Sequence, residues 1–380
     1  MTRLKIAAAV LAGAALAFTA GNLAGRKDGQ VAASAPAPVQ AAAAQEAPAP
    51  SVPDAWLTSA WPAYKTAFVR NGRVLDDVNR VSHSEGQGYG MLIATLADDR
   101  EAFDEIWAWT RRELFIRNDG LAAWRWEERA SPHVTDANNA TDGDILIAWA
   151  LAEAAERWKS ADYAQDARQI VSAVARKTLA RWQRGTVILP AATGFGAGDQ
   201  SDGPVVNLSY WVFPAFDRLA RTAPDVPWAE LRASGLLLAQ AARFSLVRLP
   251  PDWLSLAGTE PKPAQGFPAR FGYNAIRIPL YLAWASRGDA EPLRPFAGLW
   301  NEARSLGPFE IDLTTGEAVS TMEGAGYRAV AALVSCALDG QPMPASLRTV
   351  PIQTYYSTTL HILALAATQQ GYAQCLSRPS

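Results

Sequence analysis

Two cysteines and three histidines are all that 380 residues offer in the way of soft metal ligands. His83, His133 and His361 stand far apart, and no Cys/His cluster has metal-ligand spacing, so neither a metal nor another cofactor is expected. Charge of one sign is lacking too. A formal net charge of −2 gives no electrostatic footing for nucleic acid. The apolar run from Ile6 to Ala20 is the longest near the N-terminus and is too short for a comfortable membrane span. What the chain has in plenty is tryptophan, 14 of them, which suits either a packed helical core or the stacking of sugar rings.

The run behind Met1–Lys5 has the positive start and short apolar stretch of a secretory signal, with small residues around Ala20 and Ala24; a retained anchor is the alternative. Export places the protein in the periplasm or outside the cell. There Cys336 and Cys375 can form one disulfide, or they remain two buried thiols. Residues 28–53 are rich in Ala, Pro and Gln and read as an extended linker. The organisation is therefore 1–27 signal or anchor, 28–53 linker and 54–380 one domain, expected to be a monomer.

Within that domain, apolar residues recur at helical spacing over 55–69, 86–96, 100–114, 142–158, 161–182, 208–221, 228–242, 273–287, 291–305, 321–338 and 354–369. Short strands are expected at 187–189 and 309–313. No fixed repeat of 34 or 40 residues runs through the chain, which argues against a solenoid. A closed barrel of paired helices, all-α with a few short strands in loops, is the natural alternative.

Chemistry concentrates in two stretches. Residues 138–158, N-N-A-T-D-G-D-I-L-I-A-W-A-L-A-E-A-A-E-R-W, set Asp142 and Asp144 at the mouth of a helix. A single acid there is ordinarily a cap, since free N–H groups and the dipole favour negative charge. Residues 84–91, S-E-G-Q-G-Y-G-M, set Glu85 among glycines and an aromatic residue. Gly86, Gly88 and Gly90 either admit a sugar close to the backbone or let helices pack closely. Further on stand F-D-E-I-W-A-W-T at 103–110, P-D-W at 251–253 and Y-N-A-I-R-I-P-L-Y at 273–281.

These motifs, in this order, resemble glycoside hydrolase family 8, and most closely its exported endoglucanases that accompany bacterial cellulose synthesis. The likeness implies an (α/α)6 barrel and hydrolysis of β-1,4-glucan with inversion. Inversion needs a protonated carboxyl on the leaving oxygen and a base activating water on the other face. By the likeness Glu85 is the general acid and Asp142 the carboxylate that contacts sugar at the cleavage subsite. Asp144 is expected to be support. The chain departs at Asn274, where many relatives carry an aspartate base. An amide cannot take a proton from water as a carboxylate does. Glu260, Asp252 and Asp202 are the alternative bases; otherwise Asn274 holds the water while Asp142 supplies the charge, or the site is weakened.

Stacking platforms are expected at Trp124, Trp126, Tyr210, Trp211, Tyr273, Tyr355 and Tyr356. Arg277 is placed to bond a sugar hydroxyl or to orient a carboxylate, and a structural ion pair is equally open. The expected activity is endo-β-1,4-glucanase, with a cellulose synthase or export complex as a partner. Chitosan or xylan cleavage, and a non-catalytic glycan-binding role, are the rivals.

Overall fold

The computed structural model describes residues 55–286, 289–301 and 307–376. The expected signal, linker and cleavage points lie outside them. Among the described residues eleven α-helices carry the architecture: α1 Ala55–Phe68, α2 Ser84–Leu96, α3 Arg100–Glu113, α4 Thr141–Trp158, α5 Ala161–Thr178, α6 Phe213–Thr222, α7 Trp228–Ala241, α8 Arg277–Ala285, α9 Arg294–Asn301, α10 Ala325–Asp339 and α11 Tyr355–Gly371.

The helices differ in how far round they are buried. From Gly86 to Thr95 of α2 every residue is buried, and so are Arg277 to Ala283 of α8 and Ser357 to Thr368 of α11. Helices buried all round belong inside. In contrast, α5 buries a single stripe, Tyr163, Ala167, Ile170, Val171 and Val174, and turns its charged face outward. The result is an (α/α)6 barrel. Its inner ring is α2, α4, α6, α8, α10 and α11, and α1, α3, α5, α7 and α9 stand outside. Between α10 and α11 a short 3-10 turn, Ala345–Leu347, replaces the sixth outer helix.

Glycines set how closely the inner helices approach. A Cβ at Gly88 would lie 2.6 Å from Leu146 Cβ on α4, and one at Gly90 2.6 Å from Val74 Cγ2. The glycines of the Ser84–Met91 stretch therefore serve packing of protein on protein. A side chain at Gly326 would strike the Ser357 carbonyl, which brings the first turns of α10 and α11 together. Their far ends are joined by the Cys336–Cys375 disulfide. Contacts of first turn with first turn make neighbouring inner helices parallel, so their N-termini gather at one end of the barrel.

Several boundaries differ from the sequence expectation. The run 161–182 ends as a helix at Thr178, because Leu179–Trp182 pairs antiparallel with Gly185–Ile188. The run 208–221 divides into a 3-10 turn, Leu208–Tyr210, and α6. The helix expected from 273 begins at Arg277, since Gly272–Ile276 forms a separate turn. Among the described residues, eight of the chain's 14 tryptophans are buried, so the tryptophan excess mostly reflects core packing.

Candidate active site

The gathered N-termini bring Glu85, Asp142 and Arg277 together. Glu85 lies in the first turn of α2, Asp142 in that of α4, and Arg277 opens α8. Gly143 makes the meeting possible. A Cβ there would lie 2.7 Å from the Glu85 backbone nitrogen and would strike Ser84 Oγ. With glycine, the two first turns touch and the acids become neighbours.

Arg277 is buried at 2% exposure and ties the centre together. Its Nη1 donates to Glu85 Oε2 and, at 2.7 Å, to Asp142 Oδ2, while Nη2 donates to Asn274 Oδ1 at 2.8 Å. Among the described residues Arg277 is engaged with both carboxylates as ion pairs. Breaking a buried charge pair costs on the order of 3–5 kcal/mol, so the arginine is central to the integrity of this end of the barrel.

The first turn of α4 separates two jobs. Asp142 Oδ1 accepts the Gly143 N–H at 2.8 Å, leaving Oδ2 for Arg277. Burial pushes its carboxyl up to about 7, against Arg277, with Glu85 adding to the rise. Asp144 faces away from this centre. Its Oδ1 accepts the Ala122 N–H at 2.8 Å and its Oδ2 the Asn139 side-chain amide at 2.9 Å. It fastens the 121–139 loop to α4, the support role expected of it. Burial raises it to about 7 as well, against those two bonds.

Because Glu85 and Asp142 accept from the same nitrogen, their bonded oxygens lie within two hydrogen-bond lengths, roughly 6 Å at most. An inverting acid and base stand about 6.5–9.5 Å apart to admit water. Asp142 is therefore too near Glu85 to be the base of an inverting pair. It suits contact with the sugar.

His83 was not singled out in the sequence, yet it caps α2: its Nδ1 accepts the Gly86 N–H at 3.0 Å. Its Nε2 faces Asp76 at 3.7 Å. Burial opposes a charge on this ring, while Asp76, Glu85 and Asp142 together hold its pKa above the usual value. Its position just before Ser-Glu-Gly is an N-cap position, the one signal that could have found it.

The aromatic expectations divide. Tyr210 lies beside Asp142, its ring 5.8 Å from the Arg277 guanidinium carbon. Tyr273 is 46% exposed and packs edge-on against Tyr327 at 5.8 Å, and the Tyr356 hydroxyl donates to the Tyr273 carbonyl. Trp124 is half-buried, with Nε1 bonded to Asp136. These four remain available to a ligand, whereas Tyr327 is a buried core residue behind Tyr273 and Tyr356. Trp211, Trp126 and Tyr355 do not. Trp211 is wholly buried and donates to the Leu231 carbonyl, where Gly235 makes room for its ring. Trp126 is covered by Trp109, His133 and the Arg73 guanidinium. Tyr355 packs against Phe68 and His83. All three are packing residues.

Of the alternative bases, Glu260 is an exposed loop residue bonded to Arg184 at 2.5 Å, and it is not brought to the centre. Asp202 Oδ2 accepts the Gln265 N–H at 2.8 Å, pinning one loop to another. Asp252 Oδ1 accepts the Gly272 and Ala275 N–H groups at 3.1 and 2.7 Å, on both sides of Asn274. A stacked trio in the same loops, Phe195, Trp253 and Phe267, with ring centroids 5.5 and 4.6 Å apart, escaped the sequence reading. Aromatics inside Gly- and Pro-rich loops were the available sign.

No group of three or more His, Cys, Asp or Glu among the described residues is arranged to hold a metal ion. The family model described as glycosyl hydrolases family 8 matches residues 31–370. A probable endoglucanase of Novacetimonas hansenii is 39% identical over 321 residues, spanning 83% of this chain and 91% of that protein. An endoglucanase of Cellulomonas uda is 36% identical over 73% of this chain and 78% of its own length. The solved structure of an endo-β-1,4-glucanase from Acetobacter xylinum superposes with a TM-score of 0.75 at 37% identity. That match covers 83% of this chain and 98% of that one.

Proposed function

The chain belongs to glycosyl hydrolase family 8, and from that premise we propose that it is an endo-β-1,4-glucanase acting on cellulose-like glucan with inversion. One observation carries the reading: Glu85 and Asp142 meet on Arg277 where the inner helices start, beside half-open aromatic rings. Glu85 is the general acid. It is the more accessible of the two carboxylates, with 17% of its side chain exposed against 2% for Asp142. Asp142, held back by burial and by Arg277, contacts the sugar at the cleavage subsite. Such a proton donor contributes about 10²–10⁴-fold to rate. Tyr210, Tyr273, Tyr356 and Trp124 offer apolar faces to successive glucosyl rings.

Export through the N-terminal signal, to the periplasm or beyond, and work beside a cellulose synthase or export complex belong to the same proposal. They rest on the sequence likeness and the endoglucanase relatives. The test is the release of reducing ends from carboxymethylcellulose, chitosan and xylan, with Glu85→Gln as control. Release from carboxymethylcellulose that the variant loses supports the reading. Release only from chitosan or xylan shifts the substrate within the family, and silence on all three removes the enzyme.

A further inference from the structure

Position 274 carries an amide in the place where the family likeness puts the proton acceptor. The orientation of that amide can be read from its partner. A guanidinium only donates, so Asn274 turns Oδ1 towards Arg277 and its Nδ2 away. The group left facing outward is a donor. It can hold a water molecule by its oxygen and cannot take its proton.

The other candidate acids are held elsewhere or stand too close to the general acid. Asp142 lies too close to Glu85, Asp144 is fastened to Ala122 and Asn139, and Glu260 is bound to Arg184. Asp252 is different. Its backbone N–H donates to Arg270 at 2.7 Å, and its Oδ1 holds the turn that presents Asn274. Its Oδ2 has no hydrogen bond among the described residues, and its side chain is only partly covered. Gly272 lies directly over Oδ2: a Cβ there would sit 2.5 Å away, so glycine is what leaves this oxygen uncovered. Arg277 acts on Asp252 electrostatically, which puts both in one charge cluster. Burial raises the carboxyl to about 6, against its two backbone bonds, and so makes it a better base than an ordinary aspartate.

We propose that Asp252 is the proton acceptor of this hydrolysis, with the Asn274 amide holding the attacking water between Asp252 and the sugar. The assignment rests on the hydrolase reading above. As the water oxygen bonds to the anomeric carbon, one of its O–H bonds breaks and the proton passes to Asp252 Oδ2. The glycosidic C–O bond breaks, and its oxygen takes the proton of Glu85. Asp252 then gives its proton to solvent and Glu85 recovers one. Oδ1 keeps its structural bonds throughout.

Asp252→Asn preserves an oxygen for the two backbone N–H groups and removes the base. Initial rates on carboxymethylcellulose and on cellopentaose are measured with and without sodium azide, which attacks the anomeric carbon without needing a base. The expected result is a rate loss of about 10²–10⁴-fold with unchanged thermal melting. Azide then restores turnover and yields an α-glycosyl azide, and Asp252→Asn/Asn274→Asp regains activity because a carboxylate stands at 274 again. A variant within about threefold of wild type overturns the assignment. So does a loss that neither azide nor the second substitution repairs, which makes Asp252 a positioning residue. Azide that accelerates the wild type as strongly as the variant also overturns it, because no base is then in place. A wild type silent on every glycan, with or without azide, defeats the hydrolase reading and this assignment with it.

Discussion

The first turns of α4 and α8 face the same centre and are built on opposite plans. On α4 two carboxylates stand two residues apart, and packing assigns each a separate task. Asp142 turns to Arg277, whereas Asp144 turns to the 121–139 loop. On α8 a cation opens the helix, an arrangement the helix dipole disfavours, and it persists because two carboxylates and an amide surround it. The preceding turn is held from outside by Asp252. The α4 side can be read as complete from its residues alone, while the α8 side depends on a neighbour 22 positions before Asn274 in the chain. A missing side chain at one position is thus a question about the turn that carries it.

Substitutions can break this comparison in a graded way. Glu85→Gln has the largest expected effect, a loss of about 10²–10⁴-fold in kcat on carboxymethylcellulose without loss of the fold. Arg277→Met should lower activity by a smaller factor and stability by about 3–5 kcal/mol in urea melts, because it strands Asp142 and Glu85 together. If its stability is unchanged, Arg277 is not the tie between the two helices. Gly143→Ala tests the α4 side alone. Pushing the first turns of α2 and α4 apart misplaces Glu85, and a displacement near 1 Å costs about 10²-fold in kcat/KM.

Asp144→Asn should leave turnover nearly intact and lower stability by about 1–3 kcal/mol, since it sets an amide donor against Asn139. It should also change the pH profile of stability. The native carboxyl titrates near 7 and the unfolded one near 3.8, so across that window the folded state keeps a proton that the unfolded state has released. Stability therefore falls as pH rises from about 4 to about 7 and levels beyond it. Melting temperatures from pH 4.5 to 7.5 should decline less steeply in the variant than in the wild type, and parallel declines would remove Asp144 from that role.

Much of the fold was legible because the two helix classes are written in composition. Small and apolar residues run right round α2, α8 and α11, and single stripes mark α5 and its kind. The site was legible as residue types in order, Glu85, Asp142, Asn274 and Arg277. Their connection was not, since a bond from Arg277 to Glu85 spans 192 positions. Aromatics were the weakest guide. Trp211 and Tyr210 are neighbours in sequence, yet one is a core residue and the other lies beside Asp142. Periodicity could not separate them, because a 3-10 turn breaks the helical spacing there.

The central claim is that Glu85 and Asp142 work as acid and sugar contact, with the water activated from elsewhere. Proton NMR of cellopentaose hydrolysis, recorded before mutarotation equilibrates the products, tests it most directly. An α-anomer appearing first is the predicted result, since water then arrives from the face opposite the leaving group. A β-anomer appearing first contradicts the account. It would make Asp142, within two hydrogen-bond lengths of Glu85 across Arg277, the nucleophile of a retaining enzyme.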